Sequence, residues 1–395
     1  MTTTNPASPH TPLSLAQALI RCPSVTPREG GALTLLQSVL EPAGFACHRM
    51  TFTEAGTPDV ENLYARFGDV GSNGPNLCFA GHTDVVPAGD ESAWSHPPFA
   101  AEVADGFLWG RGAIDMKGAI ACFVVAALDV IARRGGRLPG AISLLITGDE
   151  EGPSINGTVK VLDWLKARAE RIDACIVGEP SSEDHLGDAM KIGRRGSLNG
   201  ELVIAGKQGH AAYPRSADNP IPKLARMIDR LCSTALDQGT RHFEPSSLQV
   251  TVISVNNVAT NVIPSQALAK LNIRYNDLWT RPKVEAHVRS VCEAVAVELG
   301  AKFTLGFSGT GDVFRTEPGA LVDTMAAAVT GVTGLEPRLS TGGGTSDARF
   351  IHLHSPVIEF GLINQTIHQV DERCALADLD RLTEVYRQFL ERYFK

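Results

Sequence analysis

Among the residues of this 395-residue sequence whose types hold metal ions or move protons, seven are the candidates for chemistry: His82, Asp84, Asp115, Glu150, Glu151, Glu179 and His368. The stretch Leu77-Cys78-Phe79-Ala80-Gly81-His82-Thr83-Asp84-Val85-Val86-Pro87 brings an apolar run to a glycine, then a histidine and an aspartate two residues apart. In an extended chain residues i and i+2 share a face, so His82 and Asp84 would project together from the end of a buried strand. A carboxylate behind a metal-binding imidazole fixes its tautomer and orientation. Imidazole and carboxylate donors without thiolate suit zinc, manganese or cobalt. Two histidines and three acids serve two metals if one aspartate bridges and each metal adds one histidine and one glutamate. Paired metals clamp a water, lower its pKa and polarise a substrate carbonyl. A carboxylate left off the metals can take the water's proton and return it to a leaving amine. The adjacent pair Glu150-Glu151 offers one ligand and one base.

Each residue alone has a plainer reading. Asp115 precedes a helical run and would serve as its N-cap. Adjacent glutamates at a strand end are usually solvated, Glu179 before Pro180 suits a turn, and His368 suits a hydrogen-bonded structural histidine. Their joint occurrence, mostly at strand ends, favours the metal reading. His352-x-His354 has same-face strand spacing, but nothing acidic surrounds it, and it is read as no ligand pair.

The elements that must position these groups alternate. Ser14 would cap a helix to about Ile20, and a second helix spans about Gly31 to Leu40. A strand at Asn62 to Phe67, a turn at Gly71 to Pro75 and the His82 strand follow. Trp94 to Trp109 reads as a largely irregular loop. A buried helix runs from Gly118 to Ile131, and the strand Ala141 to Thr147 ends at Gly148-Asp149-Glu150-Glu151-Gly152. A helix at Val159 to Arg168 leads to the strand Ala174 to Val177, which ends at Gly178-Glu179-Pro180. Apolar strands alternating with helices predict a mostly parallel mixed sheet flanked by helices, with ligands beyond the carboxyl ends of its strands.

From about Gly193 the pattern changes. Strands at Ser197 to Ala205, Leu248 to Val255, Ala267 to Tyr275 and Lys302 to Gly306 interleave with two helices. One starts at Asn219-Pro220 and runs to about Leu236; the other runs from Thr280 to Leu299. The order β-α-β-β-α-β is ferredoxin-like. Residues 196–311 are therefore read as an α+β domain inserted into an α/β domain made of 1–195 and 312–395. A helix at Gly319 to Thr330, a strand at Val357 to Phe360 and a closing helix from Leu379 to Phe394, capped by Asp378, complete the chain.

A formal charge of −8 and the absence of any Lys/Arg cluster argue against a nucleic-acid protein. The first dozen residues lack the features of a secretory signal, and no apolar run is long enough to cross a bilayer. Eight dispersed cysteines without a C-x-x-C pair suit reduced thiols, and a cytoplasmic location is expected. No Gly-x-Ser-x-Gly supports a serine nucleophile.

The motifs Gly81-His82-Thr83-Asp84-Val85-Val86-Pro87, Gly110-Arg111-Gly112-x-x-Asp115-Met116-Lys117-Gly118, Asp149-Glu150-Glu151-Gly152 and Gly178-Glu179-Pro180 resemble, in order, those of the dinuclear zinc amidohydrolases. That family includes carboxypeptidases, aminoacylases and acetylornithine deacetylase. Gly193-Arg194-Arg195-Gly196-Ser197-Leu198-x-Gly200, Gln208 to Pro214 and Gly343 to Phe350 resemble its desuccinylase branch. The resemblance implies hydrolysis of N-succinyl-LL-2,6-diaminopimelate to succinate and LL-2,6-diaminopimelate, on the route to lysine and the bacterial cell wall. A sister deacylase with another acyl pocket is the nearest alternative.

Carried over residue by residue, the resemblance implies two Zn2+ per subunit, replaceable by Co2+. His82, Asp115 and Glu179 would hold one metal; Asp115, Glu151 and His368 would hold the other. Glu150 matches the general base, and Asp84 a second catalytic carboxylate that orients His82. A homodimer through the inserted domain is implied. His210 would reach the partner's active site and stabilise the oxyanion. For a substrate with several carboxylates, Arg194, Arg195 and Arg274 are candidate partners. Ser197, Asn261, Gly344, Thr345 and Asn364 are candidate neutral contacts. Ile114 departs from the family pattern, which more often has a small residue there.

Overall fold

The computed structural model describes residues 10–68 and 74–395, so positions 71–73 of the expected turn lie outside the described residues. The chain divides into two compact units: residues 10–192 (without 69–73), 316–340 and 346–395 form one; residues 193–315 and 341–345 form the other.

The first unit opens with helices α1 (Pro12–Ile20) and α2 (Ala32–Leu40), then strands β1 (Ala46–Phe52), β2 (Val60–Phe67), β3 (Asn76–His82), β4 (Val103–Ala104) and β5 (Phe107–Trp109). Helix α3 (Lys117–Arg133), β6 (Ala141–Thr147), α4 (Thr158–Ala167), β7 (Ala174–Val177) and β8 (Ala189–Lys191) follow. The second unit holds β9 (Gly193–Arg194), β10 (Gly196–Ala205), β11 (Gly209–His210), α5 (Pro220–Cys232), β12 (Ser247–Ser254), β13 (Val262–Ile263), β14 (Gln266–Tyr275), α6 (Arg281–Leu299), β15 (Lys302–Gly311) and β16 (Phe314–Arg315). The chain then returns to the first unit with α7 (Ala320–Thr333), β17 (Arg338–Ser340), α8 (Ala348–Ile351), β18 (Val357–Glu359), β19 (Arg373–Ala375) and α9 (Leu376–Tyr393).

The large sheet has the order β1-β2-β6-β3-β7-β18-β8-β17. Its centre is parallel, with β3 beside β6 and β7, and β18 beside β7; β1, β2 and the β18–β8 contact are antiparallel. All seven residues of β3 and of β6 are buried, as expected of interior strands covered on both faces. In α9, Leu379, Leu382, Val385, Tyr386, Phe389 and Leu390 recur at helical spacing and make one buried stripe. Phe79 stacks on Phe123 at 4.3 Å, with Tyr386 edge-on to both, so β3, α3 and α9 share one core. A separate three-stranded sheet, β19-β5-β4, joins the segments before Asp115 and after His368.

In the second unit the antiparallel order β12-β14-β10-β15, with α5 and α6 packed against it, is the ferredoxin-like arrangement. The unit is slightly wider than residues 196–311, because β9 pairs with β16. The short segment 341–345 also belongs to it.

Several local expectations need correction. Thr11, not Ser14, caps α1; Ser14 is its reciprocal partner in a capping box. Helix α9 starts three residues before Leu379, which places Asp378 in its first turn rather than at its cap. The loop 94–109 contains β4 and β5, and β1 was not anticipated because its sequence, Ala-Cys-His-Arg-Met-Thr-Phe, carries charge on an edge strand. All eight cysteines are free.

Candidate metal centre

The strands β3, β6 and β7 end side by side, and the next residues carry the chemistry. His82 is the last residue of β3; Glu150 and Glu151 follow β6 after Gly148-Asp149; Glu179 follows β7 after Gly178. Asp115 arrives on the loop before α3, immediately ahead of Met116. A Cβ on Gly81 would sit 2.6 Å from Met116 Cε, and one on Gly178 would sit 2.7 Å from the same atom and 2.4 Å from Phe79 Cζ. These two glycines let Met116 pack between the strand ends, so Asp115 reaches His82 and Glu179.

The resulting geometry is two-sided. Asp115 Oδ1 lies 3.1 Å from His82 Nε2, and Asp115 Oδ2 lies 3.1 Å from His368 Nε2. His368 Nε2 is 2.8 Å from Glu151 Oε1, and His82 Nε2 is 3.7 Å from Glu179 Oε1. Three groups of donor atoms fall within 4.8 Å of one another: His82-Asp115-Glu179, Asp115-Glu151-His368 and His82-Glu150-Glu151. The first two share Asp115, one oxygen toward each histidine.

The imidazole of His82 is oriented through Nδ1, which donates to the backbone carbonyl of Asp84 at 2.9 Å; this leaves the Nε2 lone pair for a cation. Here the structure corrects the expectation that the Asp84 carboxylate does this directly, since its Oδ1 is 3.6 Å from Nδ1. Instead the carboxylate accepts the Thr26 hydroxyl at 2.8 Å and the amides of Glu151 at 3.0 Å and Glu150 at 3.3 Å. Asp84 thus braces the Glu150-Glu151 turn against the end of β3. Thr26 was missed in the sequence because a lone threonine far upstream carries no signal.

The electrostatics fit cations. Burial, reinforced by neighbouring carboxylates, pushes the carboxyls of Glu150 and Glu179 well above the ordinary range. Burial also raises Asp84 to about 6. Asp115 goes the other way: burial would raise it, but hydrogen bonds from His368 and His82 hold it well below the usual value. Burial would lower His82, yet Asp115 and then Glu179 and Asp84 raise it well above 6.5; His368 is raised to about 10 by its bonds to Asp115 and Glu151. Without metal, such a set resolves its crowding by holding protons. Nitrogen and carboxylate donors converging at this density fit divalent cations, which relieve the same repulsion.

The sequence signature of peptidase family M20/M25/M40 matches residues 78–392. The chain belongs to this family. It is 57% identical over 383 residues to succinyl-diaminopimelate desuccinylase of Rhodospirillum centenum, with 97% of each chain covered. To the protein of that name from Methylorubrum populi it is 55% identical over 388 residues, covering 98% of this chain and 99% of the other. Among solved structures, aminopeptidase PepT from Bacillus cereus superposes with a TM-score of 0.79 at 19% identity, covering 96% and 97% of the two chains.

The remaining candidates of this M20/M25/M40 chain lie mostly in the second unit. Arg194, buried, donates to the Gly342 carbonyl at 2.8 Å, and Arg195 pairs with Glu244 at 3.1 Å. Arg274 faces Ser197 across the β10–β14 ladder and donates to Thr345 Oγ1 at 3.2 Å. Burial and the Arg195 charge lower its guanidinium below its ordinary value. Gly344 is exposed beside Thr345. His210 is exposed on β11, its Nδ1 accepting the Ala212 amide at 3.0 Å, and the Asn261 carbonyl holds the Ala211 amide at 2.8 Å. Asn364 lies in the first unit, half-buried, its amide bonded to the Ser182 carbonyl. His352 and His354 sit in the turn after α8, not on a strand.

Proposed function

We propose that this chain hydrolyses the amide bond of N-succinyl-LL-2,6-diaminopimelate, giving succinate and LL-2,6-diaminopimelate, with two Zn2+ per subunit and Co2+ as a substitute. The observation that carries the chemistry is Asp115, with one carboxylate oxygen directed at each of two histidines. The acyl group is read from the relatives at 55–57% identity, whose name specifies a succinyl substrate.

In this reading His82, Asp115 and Glu179 hold one zinc, and Asp115, Glu151 and His368 the other. When bound, the pair supplies a more acidic water and a polarised amide carbonyl. Glu150 is left for proton transfer: its carboxylate takes a proton from the attacking water and delivers it to the departing amine nitrogen. Asp84 keeps Glu150 in register by holding its amide. Arg195 and Arg274, with Ser197, Asn261, Thr345, Gly344 and Asn364, are assigned to the substrate's carboxylates and polar groups. Arg194 acts through the loop whose carbonyl it holds.

The chain is proposed to form a homodimer through its second unit. Strand β12 is an edge of the four-stranded sheet and exposes Val252 and Ile253, a template for pairing with another copy. His210 of one copy would serve the other: with Nδ1 accepting, its Nε2 carries a proton to donate to an oxyanion. A cytoplasmic location is proposed, supported by the unpaired cysteines; no helix among the described residues is long and apolar enough to cross a membrane.

The test is a comparison of turnover on N-succinyl-LL-2,6-diaminopimelate and N-acetylornithine by the zinc-loaded protein. Preference for the succinyl compound is expected. Preference for the acetyl compound would assign the chain to a sister deacylase.

A further inference from the structure

His82 and Glu179 are fixed by strand ends, but His368 lies in the irregular segment between β18 and β19. Its backbone adopts φ 59°, a left-handed conformation that side-chain-bearing residues rarely take. Something outside local propensity has to hold it there.

The buried ion pair Arg111–Glu372 touches the backbone on both sides of the centre. Glu372 is fully buried; its Oε2 accepts from Arg111 Nη1 at 2.7 Å, and its Oε1 accepts the amides of Ile114 at 3.0 Å and Asp115 at 3.3 Å. The guanidinium, packed over the Trp94 ring, also donates from Nη1 to the Gln369 carbonyl at 3.2 Å and from Nη2 to the His368 carbonyl at 3.5 Å. The Glu372 carbonyl in turn accepts the Gly110 amide at 2.9 Å. One charge pair therefore grips the amide of the shared ligand and the carbonyl of the loop ligand.

We infer that Arg111 and Glu372 are positioning residues for the second metal, the one assigned to Asp115, Glu151 and His368. The inference rests on the two-metal reading. The first metal keeps two ligands, His82 and Glu179, whose placement the strands determine without the pair. The second depends on His368, whose backbone the pair holds in place. Groups that orient metal ligands typically change affinity by about 10–100-fold when removed. Arg111 suits the task because its planar fork serves a carboxylate and two carbonyls together, which a lysine ammonium cannot do in that geometry.

Stepwise zinc binding, measured by competition with a chelator, tests this in the parent, Glu372→Gln, Arg111→Lys, the double variant Arg111→Met/Glu372→Gln, His368→Ala, and Glu372→Gln combined with His368→Ala. Circular dichroism confirms folding, and the double variant, which removes both charges, guards against collapse from one unpaired buried charge. The expected result is that Glu372→Gln weakens one zinc site by about 10–100-fold, and the other, which shares Asp115 but keeps His82 and Glu179 on their strand ends, by much less. Arg111→Lys should weaken the same site. In the His368→Ala background, Glu372→Gln should weaken the remaining site far less than it weakens the His368 site in the parent. Equal weakening of both sites, or two parental affinities in Glu372→Gln, would overturn the positioning role while leaving the two-metal reading intact. A parent that binds no zinc would overturn both.

Discussion

Three donors converge on the carboxylate of Asp84: the Thr26 hydroxyl and the amides of Glu150 and Glu151. Replacing one oxygen by an amide nitrogen sets a donor against a donor in a buried place. Asp84→Asn should therefore cost about 1–3 kcal/mol in urea unfolding, together with a fall in turnover. Parental stability and turnover would show that the brace is dispensable. Glu150 tests a different property. Glu150→Gln keeps shape and burial but cannot accept a proton, so turnover should fall by about 10²–10⁴-fold with the parental metal content retained by metal analysis. Near-parental turnover would move proton transfer to another group. At this scale residue type was the legible part: imidazoles and carboxylates beyond strand ends announce metal chemistry. The route by which Asp84 serves His82 was not legible, because the bond runs through its backbone carbonyl, which every residue has.

At the scale of elements, the centre depends on Gly81, next to last in β3, and Gly178, just past β7, which admit Met116. Gly178→Ala would put a methyl 2.4 Å from Phe79 Cζ and 2.7 Å from Met116 Cε. Both are buried in the core, so the neighbours have little room to yield. We expect a loss of about 1–3 kcal/mol in stability, from overpacking, and weaker zinc binding, because relief requires Met116 and with it Asp115 to shift. Unfolding curves and metal content of the purified variant check both. Strands such as Ala141–Thr147 and Ala174–Val177 could be read to the residue, since continuous apolar runs bounded by glycine or charge leave little choice. The small sheet β19-β5-β4 could not. Its strands are two or three residues long, and their pairing joins segments far apart in sequence, where periodicity carries no information.

For the whole molecule, the crowded ionisable groups couple folding to pH. In the metal-free protein Asp84, at about 6, and His368, at about 10, bind their protons more tightly folded than unfolded, and burial acts on Glu150 and Glu179 in the same direction. The stability contributed by Asp84 is present below pH 3.8 and lost through about 6; that from His368 is present below 6.5 and lost through about 10. Chelator-treated protein should therefore melt at a lower temperature at pH 8 than at pH 5.5, and added zinc should raise Tm more at pH 8. A Tm that climbs over this interval without metal would contradict the assignment. Above about pH 8 buried Lys117, lowered to that value by desolvation, opposes the trend. The inserted unit was legible because two helices and four alternating strands interrupt the α/β pattern. The membership of 341–345 was not, since it follows from Thr341 bonding to the His242 carbonyl and Arg194 to the Gly342 carbonyl. One distance along the chain has a further bearing. His82, Asp115 and Glu179 all lie in the first half of the sequence, whereas His368 meets Asp115 across 253 positions. On the proposed assignment the ribosome, at about 5–20 residues per second, would present the complete ligand set of one metal well before the last ligand of the other. On that assignment the two ions need not be acquired together: the order of translation would offer the newborn chain a single-metal stage, with the pair finished only once the segment carrying His368 has emerged.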